Sequence, residues 1–210
     1  MTGAEALGRL RALGIPVVTN AQAATAWGQS VSATTHTLLR LADAGLVQRI
    51  RHGLWTTEEI SDPLALASAL TQPYPCYGSM WTALARHGMI EQIPRAISVV
   101  SLGRSQTIET TVGSFVIHHI HPDLYGGMVR DVARLLATPE KAVFDTAYLL
   151  AVQGHVSLPE LTLPDGFDDN AVRSWVERVP SQSLRTFTRK QVERLLMRAE
   201  HEEPTSVYRV

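Results

Sequence analysis

Cysteine is nearly missing from this chain of 210 residues: Cys76 stands alone, so no disulfide can close within it. Its start, Met1-Thr2-Gly3-Ala4-Glu5, lacks the basic lead and apolar core of a signal peptide, and together the two absences predict a cytoplasmic protein. Long hydrophobic runs are lacking as well. The longest, Ile97 to Leu102 and Ala142 to Val152, fall short of a bilayer span and the second carries Asp145, so no membrane helix is expected. Charge of one sign is not in excess: the net charge is −1, with 19% charged and 45% hydrophobic residues. That balance excludes a disordered or collagen-like chain and predicts one large or two small globular domains.

The near-neutral total hides a division. Residues 1–57 carry five arginines against Glu5 and Asp43, a net of +3, whereas residues 58–210 come to −4, which points to different partners for the two parts. In the first part, Leu7, Leu10 and Leu13 recur at helical spacing over Ala4 to Leu13, and Gly14-Ile15-Pro16 stops that helix. Thr19 with Gln22 three residues on is a capping box for a second helix to about Trp27, closed by Gly28. Ser30 then caps a third helix, Val31 to Ala44. Its spacing places Val31, Thr34, Leu38, Leu41 and Ala42 on the core face and Ser32, Ala33, His36, Thr37 and Arg40 outward. A small, polar outward face with a cation further along suits approach to base edges in a major groove. Next, Leu46 to Arg51 reads as a strand, His52-Gly53 as a two-residue turn and Leu54 to Thr57 as the returning strand. Arg49 and Arg51, with His52 at the tip, are placed for the sugar-phosphate backbone, and Ile50 and Trp55 for packing. The order predicts a winged helix-turn-helix over residues 1–60 that binds double-stranded DNA.

A connector is expected over 61–73, where Asp62-Pro63 and then Pro73 and Pro75 interrupt the pattern, followed by a mixed α+β domain over 74–210. There the spacing predicts a helix from Tyr77 to His87, strands over Ala96 to Leu102 and Gly113 to His121, and a helix from Thr138-Pro139-Glu140 to about Val152. Two further helices are expected, near Asn170 to Val179 and Thr188 to Glu200. The fold class is therefore α+β.

Several residues invite catalytic or metal readings, and none is adopted. Ser79 in Tyr77-Gly78-Ser79-Met80-Trp81 lacks the second glycine of a nucleophile elbow and is better read as a helix cap. His118, His119 and His121 have no cysteine or carboxylate in their segment to complete a tetrahedral site, so a polar strand edge is preferred to zinc. Glu140, Lys141 and Asp145 sit at a helix start, not in the Glu-x-Lys spacing of a two-metal nuclease, and Lys141 with Asp145 one turn on reads as a stabilising pair. Gly126-Gly127 is a turn rather than a phosphate loop, and Cys76 has no base nearby. No catalytic residue, metal or cofactor is expected.

Three stretches resemble a known family. Tyr77-Gly78-Ser79-Met80-Trp81-Thr82-Ala83-Leu84-Ala85-Arg86-His87-Gly88, then Gln92-Ile93-Pro94, then Ala137-Thr138-Pro139-Glu140-Lys141-Ala142-Val143-Phe144-Asp145, together with the Arg51-His52-Gly53-Leu54-Trp55 hairpin, resemble the AbiEi antitoxins of abortive-infection phage defence, over roughly residues 5–150. The resemblance implies a transcriptional repressor that binds inverted repeats upstream of its own operon through the N-terminal domain. It also implies a C-terminal domain that antagonises a co-encoded nucleotidyltransferase-like toxin, with or without physical contact; self-association of neighbouring copies on DNA is a further partner possibility for that domain. Under that resemblance the basic stripe of the last helix, Arg189, Lys190, Arg194 and Arg198, is a candidate surface for the toxin or for DNA beside the operator; a solvated face over a core stripe is the plainer reading. Two alternatives stay open at this point: a winged helix that delivers a nuclease or transferase to nucleic acid, and a ligand-sensing regulator without a toxin.

Overall fold

The computed structural model describes residues 2–131, 134–154 and 159–201. The chain divides into two compact units, Met1–Ala69 with Glu109–Gly113, and Leu70–Ile108 with Ser114–Val210.

In the first unit, helix α1 (Gly3–Arg11) is capped by the Thr2 hydroxyl, which accepts from Glu5 N at 3.2 Å. Strand β1 (Val17–Thr19) runs directly into α2 (Asn20–Trp27), whose capping box is complete: Thr19 Oγ1 accepts from Gln22 N, and Gln22 Oε1 accepts from Thr19 N at 2.8 Å. Gly28, at φ +63°, turns the chain, and Ser30 caps α3 (Val31–Asp43). Strands β2 (Gln48–Arg51) and β3 (Leu54–Thr56) follow, and with β1 they form a three-stranded sheet of order β1-β3-β2, antiparallel at both pairings. Ala6, Leu7, Leu10, Val18, Ala23, Trp27, Leu38, Leu41, Val47 and Trp55 make the core. Both indoles in it are satisfied, Trp27 Nε1 by Ala6 O at 3.1 Å and Trp55 Nε1 by Asn20 Oδ1 at 2.7 Å. A 3₁₀ turn over Pro63–Leu66 leads into the short helix α4 (Ala67–Thr71).

The second unit is built on a six-stranded mixed sheet. In chain order its elements are β4 (Cys76–Gly78), α5 (Met80–Arg86), β5 (Ile97–Ser101), β6 (Gln106–Thr110), β7 (Gly113–His119), β8 (Met128–Asp131), β9 (Arg134–Ala137) and α6 (Pro139–Val152), the Glu109–Gly113 turn end of β6 and β7 grouping with the first unit. The strand order is β6-β7-β5-β4-β9-β8; β5/β7 and β4/β9 are parallel, β4/β5 and β8/β9 antiparallel. Strand β10 (Thr162–Leu163), helices α7 (Asp169–Glu177) and α8 (Gln182–Arg198) and strand β11 (Glu200–His201) complete it, with β10 parallel to β11. Helix α6 is buried from Lys141 through Ala151, around its whole circumference, as befits the central helix of a layered fold.

The chain is thus mixed α+β. Three local expectations are corrected. Tyr77 and Gly78, expected in a helix from Tyr77 to His87, lie instead in β4, because Cys76, Tyr77 and Gly78 pair with Ser101, Val100 and Val99 and the ladder outweighs the helical spacing of the neighbouring alanines. The last helix begins at Gln182, not Thr188, under a Ser181 cap whose hydroxyl accepts from Leu184 N, and ends at Arg198. In α3, Thr37 is buried at 8% exposure and Val31 is exposed at 53%, the reverse of the expected faces. The core stripe is Thr34, Thr37, Leu38 and Leu41, three- and four-residue steps that carry Thr37 inward, where its Oγ1 donates to Ala33 O at 3.2 Å.

Candidate nucleic-acid interface and a buried ion pair

Helix α3 is fixed from below by its core stripe and at its start by the Ser30 cap on Ala33 N, at 3.3 Å. A second tie runs across the unit: Asn20, which accepts from the Trp55 indole, donates through Nδ2 to Thr35 Oγ1 at 2.8 Å, so β3, the start of α2 and the middle of α3 share one hydrogen-bonded chain. This leaves Val31, Ser32, Ala33, His36 and Arg40 exposed, with Leu39 at 38% exposure beside them.

In the hairpin, Arg49, Arg51 and His52 are exposed and Ile50 is fully buried. Arg49 donates to His52 Nδ1 at 3.2 Å and its guanidinium lies 5.7 Å from the Trp55 ring centroid, so this cation is held in place by a ring face and an imidazole. Gly53, at φ +75°, provides the left-handed step of the turn. Among the described residues no carboxylate pairs with Arg40, Arg49 or Arg51, so their charges face solvent uncompensated. A groove of about 490 Å³ beside the hairpin is lined by residues that include Arg49, Glu58 and Glu59.

Of the candidate residues on α8, Lys190, Arg194 and Arg198 are exposed, and Arg189 is engaged by Glu177 at 2.6 Å. Met197, at 85% exposure, lies on the same helix.

In the second unit Tyr77, Ser79, Lys141 and Asp145 meet in one buried cluster. Lys141 Nζ is ion-paired with Asp145 Oδ1, one turn apart on α6, and both side chains are wholly buried. Asp145 Oδ2 accepts from Ser79 Oγ at 2.7 Å and from Tyr77 Oη at 3.0 Å, so the carboxylate has three donors. The ammonium lies 4.6, 4.8 and 5.7 Å from the ring centroids of Trp175, Phe144 and Tyr77. Burial pulls Lys141 below its ordinary pKa and pushes Asp145 above its own, and the attraction between the two opposes both shifts. Burial, with the neighbouring Asp145 carboxylate, also raises the Tyr77 phenol. Gly127, at φ +67°, leaves no room for a side chain: a Cβ there would meet Trp175 Cζ2 at 2.8 Å and Lys141 Cγ at 2.9 Å. Nearby, His87 Nε2 donates to Ala137 O at 2.8 Å, which ties α5 to the end of β9.

Ser79 stands at the cap position of α5 without capping it, since its hydroxyl is turned to Asp145. The three histidines do not converge: His119 Nδ1 lies 3.0 Å from Gly103 O, His121 Nδ1 accepts from Asp123 N, and His118 Nδ1 lies 3.4 Å from Gln153 Nε2. Among the described residues no group of three or more His, Cys, Asp or Glu is placed to hold a metal. Cys76 is buried, and that burial pushes its thiol up, away from the reactive thiolate. No protein-family model matches the chain, and no curated protein matches it.

Proposed function

We propose that the chain is a DNA-binding autorepressor and antitoxin of a bacterial abortive-infection system. In this reading the first unit is a winged helix-turn-helix, with α2 and α3 as the paired helices and the β2–β3 hairpin as the wing. The observation that carries it is that one compact unit exposes both the outward face of α3, with Ser32, Ala33, His36 and Arg40, and the cationic hairpin, with Arg49, Arg51 and His52. Helix α3 meets the major groove, and the hairpin arginines take phosphate or the minor groove. Thr37, being buried, has no part in the contact.

The antitoxin half rests on the resemblance: Tyr77, Ser79, Lys141 and Asp145, which belong to its stretches, are joined in one hydrogen-bonded cluster, as expected of residues that keep a common domain in shape. That domain antagonises a co-encoded nucleotidyltransferase-like toxin. A gel-shift titration on the DNA upstream of the gene, against a scrambled duplex of the same length, tests the first half. Selective, salt-sensitive shifts in two steps are expected from copies on paired half-sites, and equal affinity for both duplexes contradicts the reading. Co-expression with the adjacent gene tests the second: growth arrest by that gene alone, relieved by this chain, is expected.

A further inference from the structure

We infer that Thr111 is a positioning residue for the wing: it holds the main chain at the bulge of β2 and thereby sets the direction in which Arg49 and Arg51 leave the strand. The inference rests on the DNA-binding reading and adds to it a residue far away in the chain.

Arg49 faces Trp55 and Arg51 faces Leu54, so Ile50 is the extra residue of a β-bulge. A bulge bends and twists its strand and re-aims the side chains on either side of it, but it leaves the extra residue outside the ladder. Strand β2 is also the outermost of its sheet, so one edge has no strand to satisfy it. Residues 109–113, which belong to the same compact unit, take up that edge at the bulge. Thr111 N donates to Ile50 O at 3.0 Å, and Thr111 Oγ1 donates to Arg49 O at 3.0 Å. One residue therefore satisfies two consecutive carbonyls of the bulge.

The anchor is itself stiff. Thr110 Oγ1 donates to Gly113 O at 2.7 Å and accepts from Val112 N at 3.3 Å, and Gly113, at φ +142°, occupies a conformation that other residues rarely adopt. Residues 109–113 are Glu-Thr-Thr-Val-Gly and contain no cation, so they add nothing to the attraction for phosphate. Their effect on DNA passes through Arg49 and Arg51.

The test uses the full chain and four proteins: wild type, Thr111→Pro, which removes the N–H, Thr111→Val, which removes only the hydroxyl, and Thr111→Ser, which keeps both donors. Affinity for the upstream DNA is measured against salt, with and without Arg51→Ala, and amide exchange is followed over residues 48–54. Thr111→Pro is expected to weaken binding about three- to tenfold, the worth of the lost hydrogen bonds, and to flatten the salt slope by about one to two as the wing arginines disengage. It should also speed amide exchange in the hairpin about tenfold and make the further cost of Arg51→Ala much smaller than in wild type. Thr111→Val should show the same attenuation in part, which keeps the test decisive if the proline variant is unstable, and Thr111→Ser should behave as wild type. A merely structural role would lower the melting temperature without changing the cost of Arg51→Ala. If wild type binds selectively but the cost of Arg51→Ala is the same in all four backgrounds, the positioning role is overturned and the DNA reading stands. If wild type does not discriminate between duplexes, the DNA reading fails and takes this role with it.

Discussion

Lys141 and Asp145 form a charge pair with no exposure to solvent, a costly arrangement unless every lone pair and proton is matched. Here Tyr77 and Ser79 complete the carboxylate, and three aromatic rings face the ammonium. Removing one partner strands the other charge: Lys141→Met and Asp145→Asn should each lower unfolding free energy by about 3–5 kcal/mol in urea melts. The joint replacement Lys141→Met with Asp145→Asn should lose clearly less than the sum, and strict additivity would contradict the account. His118 adds a pH dependence. Burial lowers its folded pKa below the ordinary 6.5, so the unfolded chain binds the proton more readily. The stability it contributes is present above the unfolded pKa and is lost as pH falls through the folded one. Thermal melts should therefore show stability declining on the acid side of pH 6.5, and His118→Gln should flatten that decline.

Helices with a local stop and start were legible in the sequence, and so were the short strands β2 and β3, which a two-residue turn marks; β1 and β4 were not. The capping box of Thr19 and Gln22 and the left-handed Gly28 bound α2 at both ends, and Thr138 with Pro139 opens α6, because each signal lies within four residues of the element it bounds. Strands β1 and β4 have three residues each, too few for alternation to register, and they form because partners elsewhere in the chain supply their hydrogen bonds. The face of α3 was shifted in phase at Val31 and Thr37, since threonine is neutral to a hydrophobic pattern and only packing shows which way it points. Ser79 and Tyr77 meet Asp145 across 66 and 68 residues, a pairing that topology decides and spacing cannot reveal. At this scale the Trp55–Asn20–Thr35 chain makes a direct prediction. Asn20→Ala leaves a buried indole N–H without its acceptor and should cost about 1–3 kcal/mol in a denaturant melt, whereas Asn20→Asp, which keeps the acceptor, should cost less.

Across the whole molecule the division of charge is the feature most closely tied to function. The first 57 residues carry +3 and the remainder −4; on the DNA-binding proposal, the exposed cations of α3 and the hairpin supply the attraction for nucleic acid and the acidic remainder discourages nonspecific coating of DNA. Among the described residues no helix is long and apolar enough to cross a membrane. The central claim is that Arg40 on α3 and Arg51 on the hairpin each neutralise a phosphate. Its most direct test is the slope of log affinity against log salt on the upstream DNA for wild type, Arg40→Ala and Arg51→Ala. Each variant should bind more weakly than wild type at low salt and show a slope shallower by about one. Three superimposable lines would contradict it.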